Sequence, residues 1–243
     1  FESHTDTKPF DVEKISSSAV ELCRRSQKPV DFETKKMRVL LDYFALAALL
    51  ERAVIPSFLA SMVHKNRSKL AGKVGKVVFN RNFSMSDVGT KYLNASPFDA
   101  EGTPHSTTEL VGKGRLLGFL YDRYSAQKDG VKSTGNCGSL ASRPLVMPSN
   151  IVVERGDSSF SGKYLHVHSV SGAHTANSVS GDFSVNVNNA FLVDKDMKPI
   201  KHAMLSGNVF ELLNKIECVG KKPRQEGVVR TPPIMFSNVQ VIA

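Results

Sequence analysis

Histidine, cysteine, serine and carboxylate spacing is where chemistry would show first in this 243-residue chain. A helical zinc hydrolase needs two histidines on one helix face with a glutamate beside them. The imidazoles hold the metal and the carboxylate activates its water. Neither HExxH nor HExxxH occurs. Of the seven histidines, His4, His64, His105, His166, His168, His174 and His202, only His166, His168 and His174 cluster. Alternate residues of a strand share a face, so His166 and His168 could ligate one cation, with His174 as a third donor. That would be the chemistry of a self-sufficient metallopeptidase. No nearby cysteine or carboxylate completes a tetrahedral set, and surface or hydrogen-bonded histidines explain the same pattern. Cys23, Cys137 and Cys218 are far apart and form no CxxC pair. Each reads as a small buried hydrophobe, and the sparse, odd count fits a reducing, cytoplasmic compartment. No GxSxG elbow, Walker A or GxGxxG string is present, so serine-nucleophile and nucleotide chemistry lack a mechanism.

Composition bounds the class. Hydrophobic residues make up 41% and charged residues 23%, which excludes a disordered, collagen-like or coiled-coil chain. The longest apolar run, 43–50, falls far short of the roughly 20 residues of a membrane span. Residues 1–9 are polar and show no secretory h-region, and the first residue is Phe rather than Met. The net charge of +9 suggests an acidic partner. Six cations, Lys65, Arg67, Lys69, Lys73, Lys76 and Arg81, lie in one Gly-containing stretch, and no acid falls between Glu51 and Asp87. Phosphate or acidic-peptide contact is one reading of this stretch. A solvated basic surface is the favoured one, because no aromatic interleaving supports base stacking.

The elements that would position these groups follow from periodicity. Asp11 caps a helix over 12–27 that Pro29 ends. Residues 37–41 read as a buried strand and 43–53 as a buried helix broken by Pro56. Segments 106–111 and 115–121 flank Gly112-Lys113-Gly114, a hairpin signal. Asp122 caps a short helix stopped by Gly130. Further strands fall at 151–154 and 164–170, and a second hairpin joins 183–193 to 200–205. Asn208 caps a helix predicted over 209–219, and 233–236 and 239–242 read as closing strands. Hairpin runs with segregated helices predict an α+β fold, a large antiparallel sheet or barrel-like domain with a few flanking helices. We expect 1–36 to be an N-terminal helical segment or remnant of another domain, and 37–243 the main domain.

Several strings then matter by their order. Ser96-Pro97-Phe98-Asp99-Ala100-Glu101-Gly102 precedes the hairpin. Tyr121-Asp122-Arg123-Tyr124-Ser125-Ala126 and Lys132-Ser133-Thr134-Gly135-Asn136 follow it. Val179-Ser180-Gly181-Asp182-Phe183-Ser184 and Leu205-Ser206-Gly207-Asn208-Val209-Phe210 come later. The series, with Asn66-Arg67-Ser68 and 70–75, closely resembles the C-terminal half of the TldD/PmbA family, once called modulators of DNA gyrase.

The resemblance implies a cytosolic metalloprotease in which a TldD subunit pairs with a PmbA (TldE) subunit to cleave unfolded peptides and mature some peptide antibiotics. TldD members carry HExxxH and a later cysteine ligand. The best local match puts those histidines on Leu50 and Ile55, with Glu51 retained. Neither aliphatic side chain has a lone pair to donate. Near the expected cysteine the chain reads Glu226-Gly227-Val228-Val229-Arg230-Thr231. Both departures point to a PmbA/TldE-like, non-catalytic subunit, with no cofactor on this chain and zinc on a TldD-like partner. A homodimer is the other expected assembly. Asp182, Ser184 and Asn208 become candidate contacts in a peptide channel, although the glycines beside these strings, Gly135, Gly181 and Gly207, read equally well as turn residues. A DNA- or gyrase-associated binding protein is the alternative from another class; nucleic-acid and membrane partners are not expected.

Overall fold

The computed structural model describes residues 11–139 and 144–243; the polar stretch 1–9 lies outside the described residues. Along the chain, α1 (Val12–Arg25) precedes β1 (Lys35–Leu41) and α2 (Tyr43–Leu49). A π-helical turn (Leu50–Val54), a 3-10 turn (Ile55–Phe58) and α3 (Ala60–His64) continue α2. Next come β2 (Met85–Val88), β3 (Thr107–Gly112), β4 (Arg115–Leu116), α4 (Arg123–Asp129), β5 (Cys137–Ser139), β6 (Leu145–Val146) and β7 (Ile151–Val153). The rest comprises β8 (Tyr164–Ser171), β9 (Asp182–Val193), β10 (Met197–Pro199), β11 (Met204–Asn208), α5 (Val209–Asn214), β12 (Ile216–Val219), β13 (Arg224–Glu226), β14 (Val229–Thr231) and β15 (Ile234–Ile242).

Five strands close a barrel in the order β1-β8-β9-β11-β15, with β1 returning to pair β15. Closure removes the edges an open sheet would expose. β10 extends it along β9 and β12 along β15. A second sheet runs β13-β14-β7-β2-β3-β4. Both sheets are mixed: β1–β8 and β7–β14 are parallel, where hairpin logic predicts only antiparallel pairs. The architecture is α+β with few helices, as the periodicity predicts, and its body is a barrel.

Local chemistry explains most elements. Lys113 and Gly114 both have positive φ, the two-residue loop that matches strand twist at the β3–β4 hairpin. Asp122 and Ser125 form a reciprocal capping box for α4, and Gly130 in the left-handed region ends it.

Three expectations need correction. The helix predicted over 209–219 stops at Asn214, because 216–219 pairs with β15 as β12, and a bulge between Ile216 and Cys218 turns both Ile216 and Val219 inward. The two closing strands are one, β15, bulged where Asn238 takes a positive φ. The segment 200–205 is not one hairpin arm. β9 pairs first with β10 and then, past Ile200 and Ala203, with β11.

One apolar core unites the two sheets. It contains Val39, Leu165, Val185 and Phe236 of the barrel, and Met85, Leu110, Val153 and Val229 of the second sheet. α1 contributes no buried residue; Val12 and Val20 are exposed.

Candidate functional site

The site is built on α2. Its residues Phe44, Ala45, Leu46, Ala47 and Leu49 are all buried, because α2 packs against β8 on one side and β13 and β14 on another. Asp42 caps it, accepting the Tyr43 N–H at 2.8 Å. The helix predicted over 43–53 is α-helical only to Leu49, and then widens. The cause is Pro56. It has no N–H for the carbonyl of Arg52, and its ring crowds that carbonyl, so an α-helical ladder cannot continue. Instead the Ile55 N–H reaches back five residues to the Leu50 carbonyl.

This turn changes which residues share a face. At about 100° per residue, positions 50 and 55 of an α-helix would point about 140° apart. A five-residue hydrogen bond stacks them one above the other. The turn is the backbone geometry an HExxxH spacing needs to aim both histidines at one ion. Leu50 and Ile55, to which the resemblance assigns the two histidines, are 0% and 3% exposed, inside the apolar core. Glu51 instead reaches outward, 40% exposed, with Arg52 3.8 Å away.

Glu51 and Arg52 border a cleft of about 460 Å³ between α2, the β8–β9 pair and β13. Its buried lining is apolar, from Phe44, Ala47 and Ala173. Its outer lining is polar, from Ser169, Asn188, Asn189 and Glu226. The β13–β14 turn stands opposite: a methyl group on Gly227 would lie 3.7 Å from Glu51 Oε2. That turn is where the family's cysteine ligand is expected.

The structure does not bring His166, His168 and His174 together as a metal site. Among the described residues no three His, Cys, Asp or Glu side chains group as a metal needs. His166 and His168 do share a face, but His166 Nε2 lies 3.4 Å from Asp42 Oδ2 and buried His168 packs on the Phe44 ring at 5.1 Å. His174 is exposed on a 3-10 turn.

Asp182 and Asn208 are paired across β9 and β11, and neither lines the cleft. Asn208 Nδ2 donates to Asp182 Oδ1 at 2.7 Å and to the Ser180 carbonyl, while its Oδ1 accepts the Phe210 N–H and caps α5. The Ser180 hydroxyl, then Asn208 and the Lys69 charge, hold the Asp182 carboxyl below its usual range. Ser184 is exposed and stands opposite Ser206. Of the cysteines, Cys137 is buried, Cys218 half-buried and Cys23 exposed, so the buried-hydrophobe reading fails for Cys23. Burial pushes the Cys137 and Cys218 thiols up, away from reactive thiolate.

Ser169, Asn188 and Asn189 carry no sequence signal; only topology brings them to Glu51 and its chain neighbour Arg52. Comparison with known proteins shows the family of the chain. Residues 34–243 match the family model described as the PmbA/TldA metallopeptidase C-terminal domain. The chain belongs to this PmbA/TldD family. A protein of Methanocaldococcus jannaschii, MJ0231, is 34% identical over 98% of this chain and 58% of its own length. The metalloprotease TldD homolog of Haemophilus influenzae is 29% identical over 76% of this chain and 41% of its own. The crystal structure of TldE from Thermococcus kodakarensis superposes with a TM-score of 0.90 at 28% identity, covering 96% of this chain and 56% of that one. The chain thus spans a little over half of MJ0231 and of that TldE. No helix among the described residues is long and apolar enough to cross a membrane.

The zinc implied by the PmbA/TldD resemblance does not fit this chain's residues. Leu50 and Ile55 offer hydrocarbon where imidazole nitrogens are required, and the 226–231 stretch offers no thiolate.

Proposed function

We propose that this chain is the PmbA/TldE-type subunit of a two-component, cytoplasmic metalloprotease, shaping the peptide site without holding zinc. The observation that carries this is the π-helical turn with Leu50 and Ile55 buried where two metal ligands would stand. The catalytic metal then belongs to a TldD-like partner. The chain's own part is binding. β13 is the terminal strand of its sheet, beside the cleft, and suits an extended peptide adding by backbone hydrogen bonds. The buried apolar lining takes a side chain, and the Ser and Asn side chains at the mouth meet peptide amides. An unfolded peptide is the substrate such an edge accepts, since backbone pairing reads no sequence. Asp182, Ser184 and Asn208 extend the channel wall along the barrel. Three cysteines without a disulfide fit a reducing compartment.

The test is hydrolysis of an unfolded peptide by the purified chain, alone and with a TldD-type partner, with zinc content and complex mass measured in parallel. We expect no stoichiometric zinc on the chain alone, a two-subunit complex by light scattering, and cleavage only in the mixture. Metal-dependent cleavage by the chain alone overturns the proposal.

A further inference from the structure

The loop 65–81, between α3 and β2, contains no helix or strand. Buried Leu70 and Phe79 pin it to the core, and the Gly75 and Val78 N–H groups bond the Leu116 and Gly114 carbonyls. Its six cations, Lys65, Arg67, Lys69, Lys73, Lys76 and Arg81, are all exposed. Among the described residues none forms an ion pair with a carboxylate. The bridge between Val77 and Arg115 brings the β3–β4 turn alongside, adding exposed Lys113 and Arg115. Asp182 feels Lys69, and Glu154, Asp157 and Glu217 line one cavity with Arg81 and Lys113 at the edge of this surface. A pinned surface dense in like charges, none of them held in an ion pair among the described residues, attracts an anionic partner and raises its rate of encounter.

Two further features choose the partner's chemistry. Val74 and Val77 stand 54% and 64% exposed within the charged loop. The loop's own aromatic, Phe79, and nearby Phe83 are buried at 1% and 0%, and half-buried Phe210 lies under Lys69, 5.5 Å from its Nζ, so no fully exposed ring is offered to a nucleobase. Cations interleaved with exposed aliphatics suit an acidic polypeptide that carries apolar side chains, and suit a nucleic acid poorly.

We propose that the 65–81 loop, with Lys113 and Arg115, is a docking surface for an acidic segment of a partner polypeptide. It is separate from the cleft lined by Glu51 and stands whether or not the subunit assignment does. The test is fluorescence anisotropy of the full chain with a labelled Asp/Glu-rich peptide bearing two leucines. A Lys/Arg-rich counterpart and a short labelled duplex DNA serve as comparisons. We expect the acidic peptide to bind best, with affinity falling about tenfold as salt is raised from low to several hundred millimolar. The variant Lys65→Glu, Lys73→Glu, Lys76→Glu should weaken it at least tenfold with an unchanged circular dichroism spectrum. A control, Lys195→Glu, Lys198→Glu, Lys221→Glu, makes the same change in net charge on exposed lysines elsewhere and should change binding less than threefold. No binding at low salt, DNA bound as tightly as the acidic peptide, or equal loss in the control overturns the proposal. Failure of partner-dependent proteolysis would leave this result untouched.

Discussion

Asp87, on β2, is a carboxylate almost cut off from water, 2% exposed. Its Oδ1 accepts the Ser149 and Asn150 N–H groups at 2.9 Å, and its Oδ2 accepts Asn136 Nδ2 at 2.6 Å. Burial pushes its pKa up against these bonds, which pull it down. With the folded pKa above the unfolded value of 3.8, the unfolded chain ionises first as pH rises. Asp87 therefore costs stability progressively from that pH up to its raised folded value, and the cost is level beyond. Urea unfolding across pH should show this slope in the wild type and lose it in Asp87→Asn. That variant should also be about 1–3 kcal/mol less stable at neutral pH, because its amide would face the Asn136 amide donor-to-donor. Asn136 cannot turn round cheaply, since its Nδ2 also bonds the Met147 carbonyl and its Oδ1 accepts Thr134 Oγ1. Asn136 was legible as part of a string; Asp87, 49 residues earlier in the chain, was not, because its partners are set by sheet pairing.

At the scale of elements, Gly181 holds the turn into β9 at φ +80°, and a methyl group there would lie 2.4 Å from Phe210 of α5. Gly181→Ala should cost at least 1–3 kcal/mol, roughly, by thermal or urea unfolding, from strain and overlap together. On α1, hydrogen bonds from Arg24 and then Arg25 hold the Glu21 carboxyl at about 2, below its ordinary 4.5. The clasp is intact above the ordinary value and lost as pH falls through the lowered one, so an NMR titration of Glu21 should find its midpoint near 2. Caps and turns were legible in the sequence: Asp11, Asp122, Asn208 and Lys113-Gly114 all do what their residue types suggest. Spacing failed where strand pairing overrode it. Ile216 and Val219 suit a helix face, and fit a strand only through the bulge that pairing with β15 imposes between Ile216 and Cys218. Pro56 predicted a break but not its form, because a π-turn differs from an α-turn only in which carbonyl the Ile55 N–H finds.

The molecule carries its two large sheets on one main core, with only a small satellite cluster of Leu40, Tyr164 and Met235 confined to the barrel. Calorimetry should therefore show one transition with matching calorimetric and van't Hoff enthalpies, and two resolved peaks would contradict a shared core. The barrel's closure was not readable from the sequence. It depends on β1 meeting β8 in parallel and β15 antiparallel, pairings some 125 and 200 residues distant. The cleft depends on the same long-range meeting, which is why its Ser and Asn lining carries no local mark.

The buried pair at Leu50 and Ile55 bears on descent as well as on mechanism. Losing two ligands from such a turn would need only two side-chain changes, with the backbone untouched. Regaining them is harder, because the space is filled by hydrocarbon belonging to the common core. A lone Leu50→His should lower stability by about 2–4 kcal/mol without bringing zinc affinity, as unfolding and zinc titration would show. On the subunit role proposed above, a lineage that has crossed this step meets a ratchet: each single reversal is penalised before any catalytic benefit arrives.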